Sequence, residues 1–479
     1  MRIAIIGAGI SGLATAWYLQ RLLPHASATV FDLNSHVGGV IQTRTESPYL
    51  VELGADGFAT LVPDALRMVQ DMGIRDEFIS PKLDHRLAQV VRDGKVVPIP
   101  NGFALMQPTR LSSILTTKTL SVSGRLRLLA EYFIKPKMTD DDESVESFAV
   151  RRLGRECFDR LIEPIVGGIF TARAETLSMS AAMPQFVAME REHGGLIRAA
   201  LAKRKNDSRL ERSARIATGA RYDQFLAPKR GMSWWLHRIK EDLKCEWMLE
   251  RHVRQIHKNA DGSWAVTSGL ASSDPKIETH NFDAVCLALS SLAAAKLLKT
   301  SHSNLALLLE RIPYASSAVA VLAINKKEIR NDSLCFGIVV PSIERRDCLA
   351  ISLSSEKYDG RCPDDIVLAR VFFGGAVRPE ILDKSDEQLL AIARKEVLEL
   401  LGANSLPRWQ SLVRWNESMP QYLVGHRELV ASIHKSLEQE PTLRLAGNAY
   451  EGVGIPQCIR QARQTAEHFA ALFGRENVS

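Results

Sequence analysis

No two of the seven cysteines stand in a CxxC spacing, and the seven (157, 245, 286, 335, 348, 362 and 458) are scattered and odd in number. That argues against a disulfide framework, a zinc site or an iron–sulfur cluster, and it fits a reducing compartment. No run of eighteen apolar residues occurs, so no segment has the composition of a membrane-spanning helix. Internal repeats and low-complexity tracts are missing as well. Charge of one sign is scarce: a net charge of +6 is mild at this length. It permits anionic lipid, an acidic partner or a polycarboxylate substrate, and it does not point to nucleic acid.

What is there is a chain of 479 residues, 46% hydrophobic and 24% charged, with room for two or three domains of ordinary globular composition. A strand pattern begins at Arg2, which predicts a chain without a signal peptide. The expected location is cytoplasmic, with peripheral attachment to the inner face of the membrane left open.

The opening "MRIAIIGAGISGLATAWYLQRL" holds an apolar run, Arg2–Ile6, then GxGxxG at Gly7, Gly9 and Gly12, then a helical pattern. In such a loop Gly7 allows the tight turn, Gly9 lets backbone approach a pyrophosphate, and Gly12 lets helix pack on strand. The second strand, "ATVFD", ends at Asp32, an acid placed to accept hydrogen bonds from a ribose. GxGxxG alone is weak; the ordered set of strand, loop, helix, strand and acid predicts a dinucleotide site. Gly38-Gly39 a few residues on resembles the second fingerprint of glutathione-reductase-like FAD proteins. Val40 stands where that pattern usually has Arg or Lys, which removes an ionic contact there and leaves either a backbone-amide contact or an ordinary surface turn.

Further along, "VELGADG" (51–57) reads as an exposed loop after a strand. Residues 86–99 read as a hairpin turning at Asp93-Gly94, and "VRQIHKNADGSWAV" as another turning at Asp261-Gly262. "FDAVCLAL" (282–289) reads as a buried strand, 313–325 and 366–373 as β-rich, and 384–402 as an amphipathic helix. From 100 to 215 the pattern is helical and basic, with six basic residues against two acids in 203–215. That run is either a solvated excursion or a face for a membrane or acidic partner.

Four segments carry a family resemblance: "ELGADGF" (52–58), "EPIVGGIFTARAETLSMSAAMPQF" (163–186), "PQYLVGH" (420–426) and "LAGNAYEGVGIPQCI" (445–459). With the N-terminal fingerprint, the whole chain resembles the oxygen-dependent protoporphyrinogen oxidase family, including its coproporphyrinogen-oxidising branch. The resemblance implies an α/β protein: a Rossmann-type FAD-binding domain with a β-rich substrate domain and a helical insertion. The FAD-binding domain is expected in three parts (1–85, 216–295 and 411–479) and the substrate domain in two (86–99 and 296–410). The remaining segment, 100–215, is expected as a helical domain that either faces a membrane or partner or is solvated.

The resemblance also implies residue roles. Gly7, Ala8, Gly9, Ile10, Ser11, Gly12, Asp32, Leu33, Gly39 and Val40 match the family's adenosine and diphosphate contacts. Gly54, Ala55, Asp56 and Gly57 match a loop beside the flavin ring, and the backbone of Val253 matches one that meets the adenine. Trp415, Gly447, Asn448, Val453, Gly454 and Ile455 match contacts near the ribityl chain and ring. Gly168 matches a position at the substrate pocket. Two departures stand out. Protoporphyrinogen-type relatives read Gly-Pro-Arg where this chain has Gly54-Ala55-Asp56, and Ala462 replaces a frequent helix glycine. Asp56 cannot pair with a substrate propionate as that arginine is thought to, which leans the reading toward coproporphyrinogen III.

The implied reaction removes six hydrogens from a cyclic tetrapyrrole in three two-electron steps, with dioxygen as acceptor and hydrogen peroxide as by-product. A flavin carries such chemistry, which suits a sequence with no Ser–His–Asp set, no metal constellation and no telling carboxylate pair. Asp56 is a candidate proton acceptor, or an ordinary turn carboxylate. Arg173, Arg191 and Arg198 are candidate partners of substrate carboxylates, or solvated surface residues. His252, His257 and His426 lack metal-ligand spacing, and His426 reads as structural. A flavin amine oxidase or carotenoid desaturase shares the N-terminal fingerprint but not the later motifs, and an FAD-holding scaffold is the non-enzymatic alternative. Contact with a ferrochelatase is left open.

Overall fold

Ile3 and Ile5 point to one side of the strand Arg2–Ile6 and Ala4 and Ile6 to the other, and all four are buried. Side chains alternate along a strand, so this one has to lie inside a sheet covered on both faces. In the computed structural model, which describes residues 1–206, 224–270 and 277–474, it is the centre of a five-stranded sheet. The order is Glu246–Met248, Ser27–Phe31, Arg2–Ile6, Ala284–Leu287 and Leu443–Leu445, all parallel.

Three helices cover one face: Ile10–Leu22, Met232–Asp242 and Ile455–Phe473. The last buries a stripe of Ile455, Cys458, Ile459, Ala462, Ala466 and Phe469, the helical repeat of a one-sided helix. The other face carries the antiparallel strands Arg251–Lys258, Trp264–Leu270 and Ile277–Phe282 and the helices Ser291–Leu298, Ser303–Glu310 and His426–Leu437.

The second unit is a seven-stranded mixed sheet: Trp409–Pro420, Tyr314–Asn325, Ile366–Gly374, Ala350–Leu353, Gly337–Val339, Ala88–Arg92 and Lys95–Pro98. Ala318, Ala320 and Leu322 face the helix Asp386–Leu401, while Val319, Val321 and Ala323 face Tyr49, Val51 and Leu53. That helix starts at Ser385 with a reciprocal capping box to Gln388 and stops at Gly402 in the left-handed region. Between Ala88–Arg92 and Lys95–Pro98 the turn puts both Asp93 and Gly94 at positive φ, as a two-residue hairpin needs. A third, mainly helical unit fills residues 111–206 around a core of its own that includes Phe148, Leu161 and Tyr422.

Three expectations change. The strand Trp409–Pro420 runs across the expected boundary at 411 and lies wholly in the seven-stranded sheet, because it pairs with Tyr314–Ala323. The helix Ser303–Glu310, expected in the substrate domain, packs on the parallel sheet through Leu305, Ala306 and Leu309. The segment 51–57 is not an open loop: Val51, Glu52 and Leu53 are buried between the two sheets, and only Ala55 is exposed. Of the basic run, residues 207–215 lie outside the described residues. Among the described residues no helix is long and apolar enough to cross a membrane, and no group of His, Cys, Asp and Glu could hold a metal ion.

Candidate functional site

Parallel strands deliver their following loops to one edge of the sheet, and ligands of such sheets bind there. Here that edge collects the Gly7–Gly12 loop after the first strand, Asp32 after the second and Ala446–Gly447 after the last. The first loop is rigid. The Gly7 N–H donates to Phe31 O at 2.8 Å, the Ala8 N–H to Asp32 Oδ2 at 2.7 Å, and the Gly38 N–H to Ala8 O at 2.9 Å. Asp32 Oδ1 also accepts from the Asn34 backbone N–H at 2.8 Å, so the acid braces the loop.

The glycines divide by what crowds them. A Cβ on Gly7 would lie 2.3 Å from Ala288 O, and one on Gly12 would lie 1.8 Å from Gly7 O. A Cβ on Gly9 would meet no protein atom within 4 Å. Two glycines are therefore demanded by the fold, and the third leaves space that the protein does not fill. Neither the helix Ile10–Leu22 nor the helix Ile455–Phe473 has a side-chain cap, and both start at a glycine, Gly9 and Gly454. Their first turns pack in one core, which includes Ile10, Ile455 and Cys458. Two uncapped helix starts side by side, one over an open glycine, suit an anionic diphosphate and an electron-rich ring. The residues present fit FAD.

The loop Gly54–Gly57 lies between the two sheets. A Cβ on Gly54 would lie 2.3 Å from Val40 O, and one on Gly57 would lie 2.6 Å from Leu226 O. The Trp415 indole N–H donates to Leu53 O at 2.9 Å, tying the far sheet to this loop. Asp56 pairs with Lys357 Nζ at 2.7 Å and with Arg370 Nη1 at 3.4 Å, and Arg370 also donates to Gly54 O. Burial on its own would push the Asp56 carboxyl up; Lys357 and Arg370 outweigh it and hold the group below the usual carboxylate range. An acid so held is a weak proton acceptor, so the geometry makes Asp56 an anchor of its loop.

Of the other expected contacts, Leu33 and Val40 are exposed beside the Asp32 and Gly39 backbone, with Gly39 at positive φ. Val253 is buried on the strand Arg251–Lys258, whose first N–H donates to Asp32 O at 2.9 Å. Gly168 faces Ala350 and Val339 of the seven-stranded sheet, its would-be Cβ 3.8 Å from Ala350 Cβ. The three arginine candidates sit as surface groups: Arg173 lies 3.9 Å from Glu175, Arg191 pairs with Asp140 at 2.7 Å, and Arg198 stacks on Tyr132. His252 and His257 are exposed strand residues, and Ala462 is buried in the stripe of the last helix.

The sequence alone did not single out Lys357 and Arg370, because only folding brings them to Asp56. Glu52 was missed too: it is buried, and it accepts from the Met232 N–H at 2.9 Å and the Thr43 hydroxyl at 2.7 Å. The PQYLVGH motif pointed near Tyr422 without identifying it. Its hydroxyl donates to Asn448 O at 2.6 Å and accepts from the Gly452 N–H at 2.9 Å. His426 Nε2 donates to Tyr450 O at 3.1 Å, and burial lowers its basicity, as a structural imidazole would show.

A family model described as flavin containing amine oxidoreductase matches residues 10–469. The chain is 30% identical over 97% of its length to a coproporphyrinogen III oxidase of Propionibacterium freudenreichii subsp. freudenreichii, 90% of which is covered. It is 29% identical over 96% of its length to protoporphyrinogen oxidase 1, chloroplastic, of Arabidopsis thaliana, 86% of which is covered. The fold matches the crystal structure of a candidate protoporphyrinogen oxidase from Exiguobacterium sp. 255-15 with a TM-score of 0.83 at 24% identity, covering 98% of this chain and 99% of that one.

Proposed function

The chain belongs to the flavin-containing amine oxidoreductase family, and we propose that within it this protein is an FAD-dependent porphyrinogen oxidase acting on coproporphyrinogen III. The Gly7–Gly12 loop and Asp32 would hold the diphosphate and adenosine. The Gly54–Gly57 loop, Trp415 and the Val453–Ile455 turn would hold the ring end. When bound, FAD supplies the two-electron oxidation and its own reoxidation by dioxygen. The chain supplies position: two uncapped helix starts for negative charge, and a loop locked to the far sheet by Arg370 and Trp415. Gly168, where the helix Glu163–Phe170 packs on the strands Gly337–Val339 and Ala350–Leu353, would border the substrate between the helical unit and the seven-stranded sheet.

The observation that carries the substrate choice is Asp56. It puts a carboxylate, paired with Lys357 and Arg370, where the resemblance implies an arginine for protoporphyrinogen-type enzymes. The test is anaerobic reduction of the bound flavin by coproporphyrinogen III, protoporphyrinogen IX and an amine in turn. Coproporphyrinogen III is expected to be fastest. Reduction by neither porphyrinogen would sink the proposal, and faster reduction by protoporphyrinogen IX would reverse the branch.

The helical unit supports peripheral lipid contact. Leu115, Val122, Leu126, Phe133 and Met138 are exposed there, the last two 79% and 90% so, with Lys118 and Lys135 exposed among them. Exposed apolar side chains interspersed with lysines favour anionic interfaces. Binding to phosphatidylserine vesicles is expected at low salt and is expected to fall as salt rises; no binding at low salt would remove it. A ferrochelatase contact would draw on the same exposed residues, and pull-down of a purified ferrochelatase without vesicles tests it.

A further inference from the structure

The motif PQYLVGH has no role in the reading above, yet its residues touch the segment at the ring end of the site. We propose that Tyr422 is a positioning residue for the flavin: its hydroxyl fixes the turn Asn448–Gly452 and so places the start of the helix Ile455–Phe473. This rests on the reading that Val453–Ile455 meets the flavin ring.

The geometry is specific. Tyr422 is buried, and its hydroxyl bridges the two ends of the turn, donating to Asn448 O and accepting from the Gly452 N–H. His426 stacks on the Tyr422 ring at 4.0 Å and 14° and donates to Tyr450 O between those ends. Three backbone groups of five consecutive residues are thus held from one neighbouring segment. Gly452 sits at φ +118°, where a Cβ would lie 2.6 Å from Gln457 Cγ, so the chain is pressed against the helix it leads into. Only Val453 separates Gly452 from Gly454, the residue at which that helix starts. A displaced Gly452 therefore moves the helix start with little slack.

The same segment is bonded on its other side to the helical unit. The Ser178 N–H donates to Tyr422 O at 2.7 Å, and the Val424 N–H to Thr176 O at 3.1 Å. Asp142 Oδ2 accepts from the Ser178 hydroxyl at 2.6 Å and from the Gly425 N–H at 3.1 Å. Residues 420–426 are a strap between the helical unit and the flavin-facing turn. A helix start carries partial positive charge that falls off within about one turn, so its placement affects how well an anionic reduced flavin is held.

The test compares holoenzymes of wild type, Tyr422→Phe, Asp142→Ala and Phe148→Leu by FAD content, thermal unfolding and the two-electron midpoint potential of the bound flavin. Tyr422→Phe is expected to keep its FAD but to favour reduction about tenfold less, a potential roughly 30 mV lower. Asp142→Ala, which releases the strap at its other end, is expected to shift the potential the same way by about threefold, near 15 mV. Phe148→Leu, in the same core but with no hydrogen bond to the turn, is expected to lose stability with no change in potential. Unchanged potentials in Tyr422→Phe and Asp142→Ala, or an equal shift in Phe148→Leu, would overturn the inference. If Tyr422→Phe does not fold, Asp142→Ala decides. A wild-type protein that holds no FAD would overturn both this inference and the function it rests on, whereas a flavin unreactive with porphyrinogens leaves the potential measurement decisive for the strap alone.

Discussion

Gly12→Ala is expected to yield protein without FAD and with a badly weakened fold, while Gly9→Ala is expected to yield folded protein without FAD. The two substitutions add the same methyl group to one loop, so the contrast isolates what each glycine is for. At Gly12 the new carbon would lie 1.8 Å from Gly7 O, a backbone atom. Gly7 cannot yield cheaply, because its N–H is bonded to Phe31 O and its own Cα faces Ala288 O. Overpacking of backbone on backbone belongs at the upper end of the usual range, about 3 kcal/mol or more. At Gly9 the backbone is at φ −71° and ψ 179°, which alanine adopts freely, and no protein atom stands in the way. Stability should be unchanged or raised by up to about 1 kcal/mol. What the methyl group would meet is the diphosphate. The ratio of flavin absorbance to protein after purification, read beside thermal unfolding, checks both. Full flavin loading in Gly9→Ala would mean that the diphosphate does not approach that residue.

The second large effect is expected at Asp56. Its carboxylate neutralises Lys357 and the nearly fully buried Arg370, and Arg370 in turn holds the Gly54 carbonyl. Asp56→Asn keeps the shape and removes the charge. Breaking a buried pair from one side leaves the other charge uncompensated, and the loss should be about 3 kcal/mol, the low end of the range, because Lys357 retains some water.

The dependence on pH has a definite sign. The folded-state pKa of Asp56 lies below its unfolded value, so its contribution is complete above the unfolded pKa, about 3.9, and is lost as pH falls from there through the folded value. The stability gap between wild type and Asp56→Asn, measured by denaturant unfolding, should be constant near neutrality and should close as the medium becomes more acid than pH ~4. A gap that widens in acid would mean that the carboxyl is held protonated. The substitution should also slow flavin reduction by the substrate, since the Gly54–Gly57 loop loses its clamp; it should not reshape the rate's dependence on pH, as removal of a proton acceptor would.

Features that depend on near neighbours in the chain were legible from the start. The alternation in Arg2–Ile6, the GxGxxG spacing, the Asp93-Gly94 turn and the helix over 386–401 are settled by residues within one strand, turn or helix. A single sequence records that kind of proximity directly. The resemblance extended this to the ends of the flavin site, because its motifs mark positions even where their contacts are unknown.

Tertiary structure alone decided which distant residues meet. Asp56 and Lys357 are 301 positions apart, and Tyr422 and Gly452 are 30 apart on opposite sides of a helix and a strand. Nothing in local spacing marks Arg370, a charged residue in a strand whose other members form an apolar core. The seven-stranded sheet carries Arg370 to Gly54, and that is also why the boundary drawn at 411 gave way. Strand pairing energy is gained across the sheet rather than along the chain, so Trp409–Pro420 follows its partner Tyr314–Ala323 rather than its neighbours in sequence. The sequence by itself determined that a dinucleotide loop, a glycine-rich C-terminal turn before a helix and a β-rich partner exist. How those parts lock together, through Asp56 with Arg370 and through Tyr422 with the turn it holds, was decided by folding, since charge pairing and burial act through space and not along the chain.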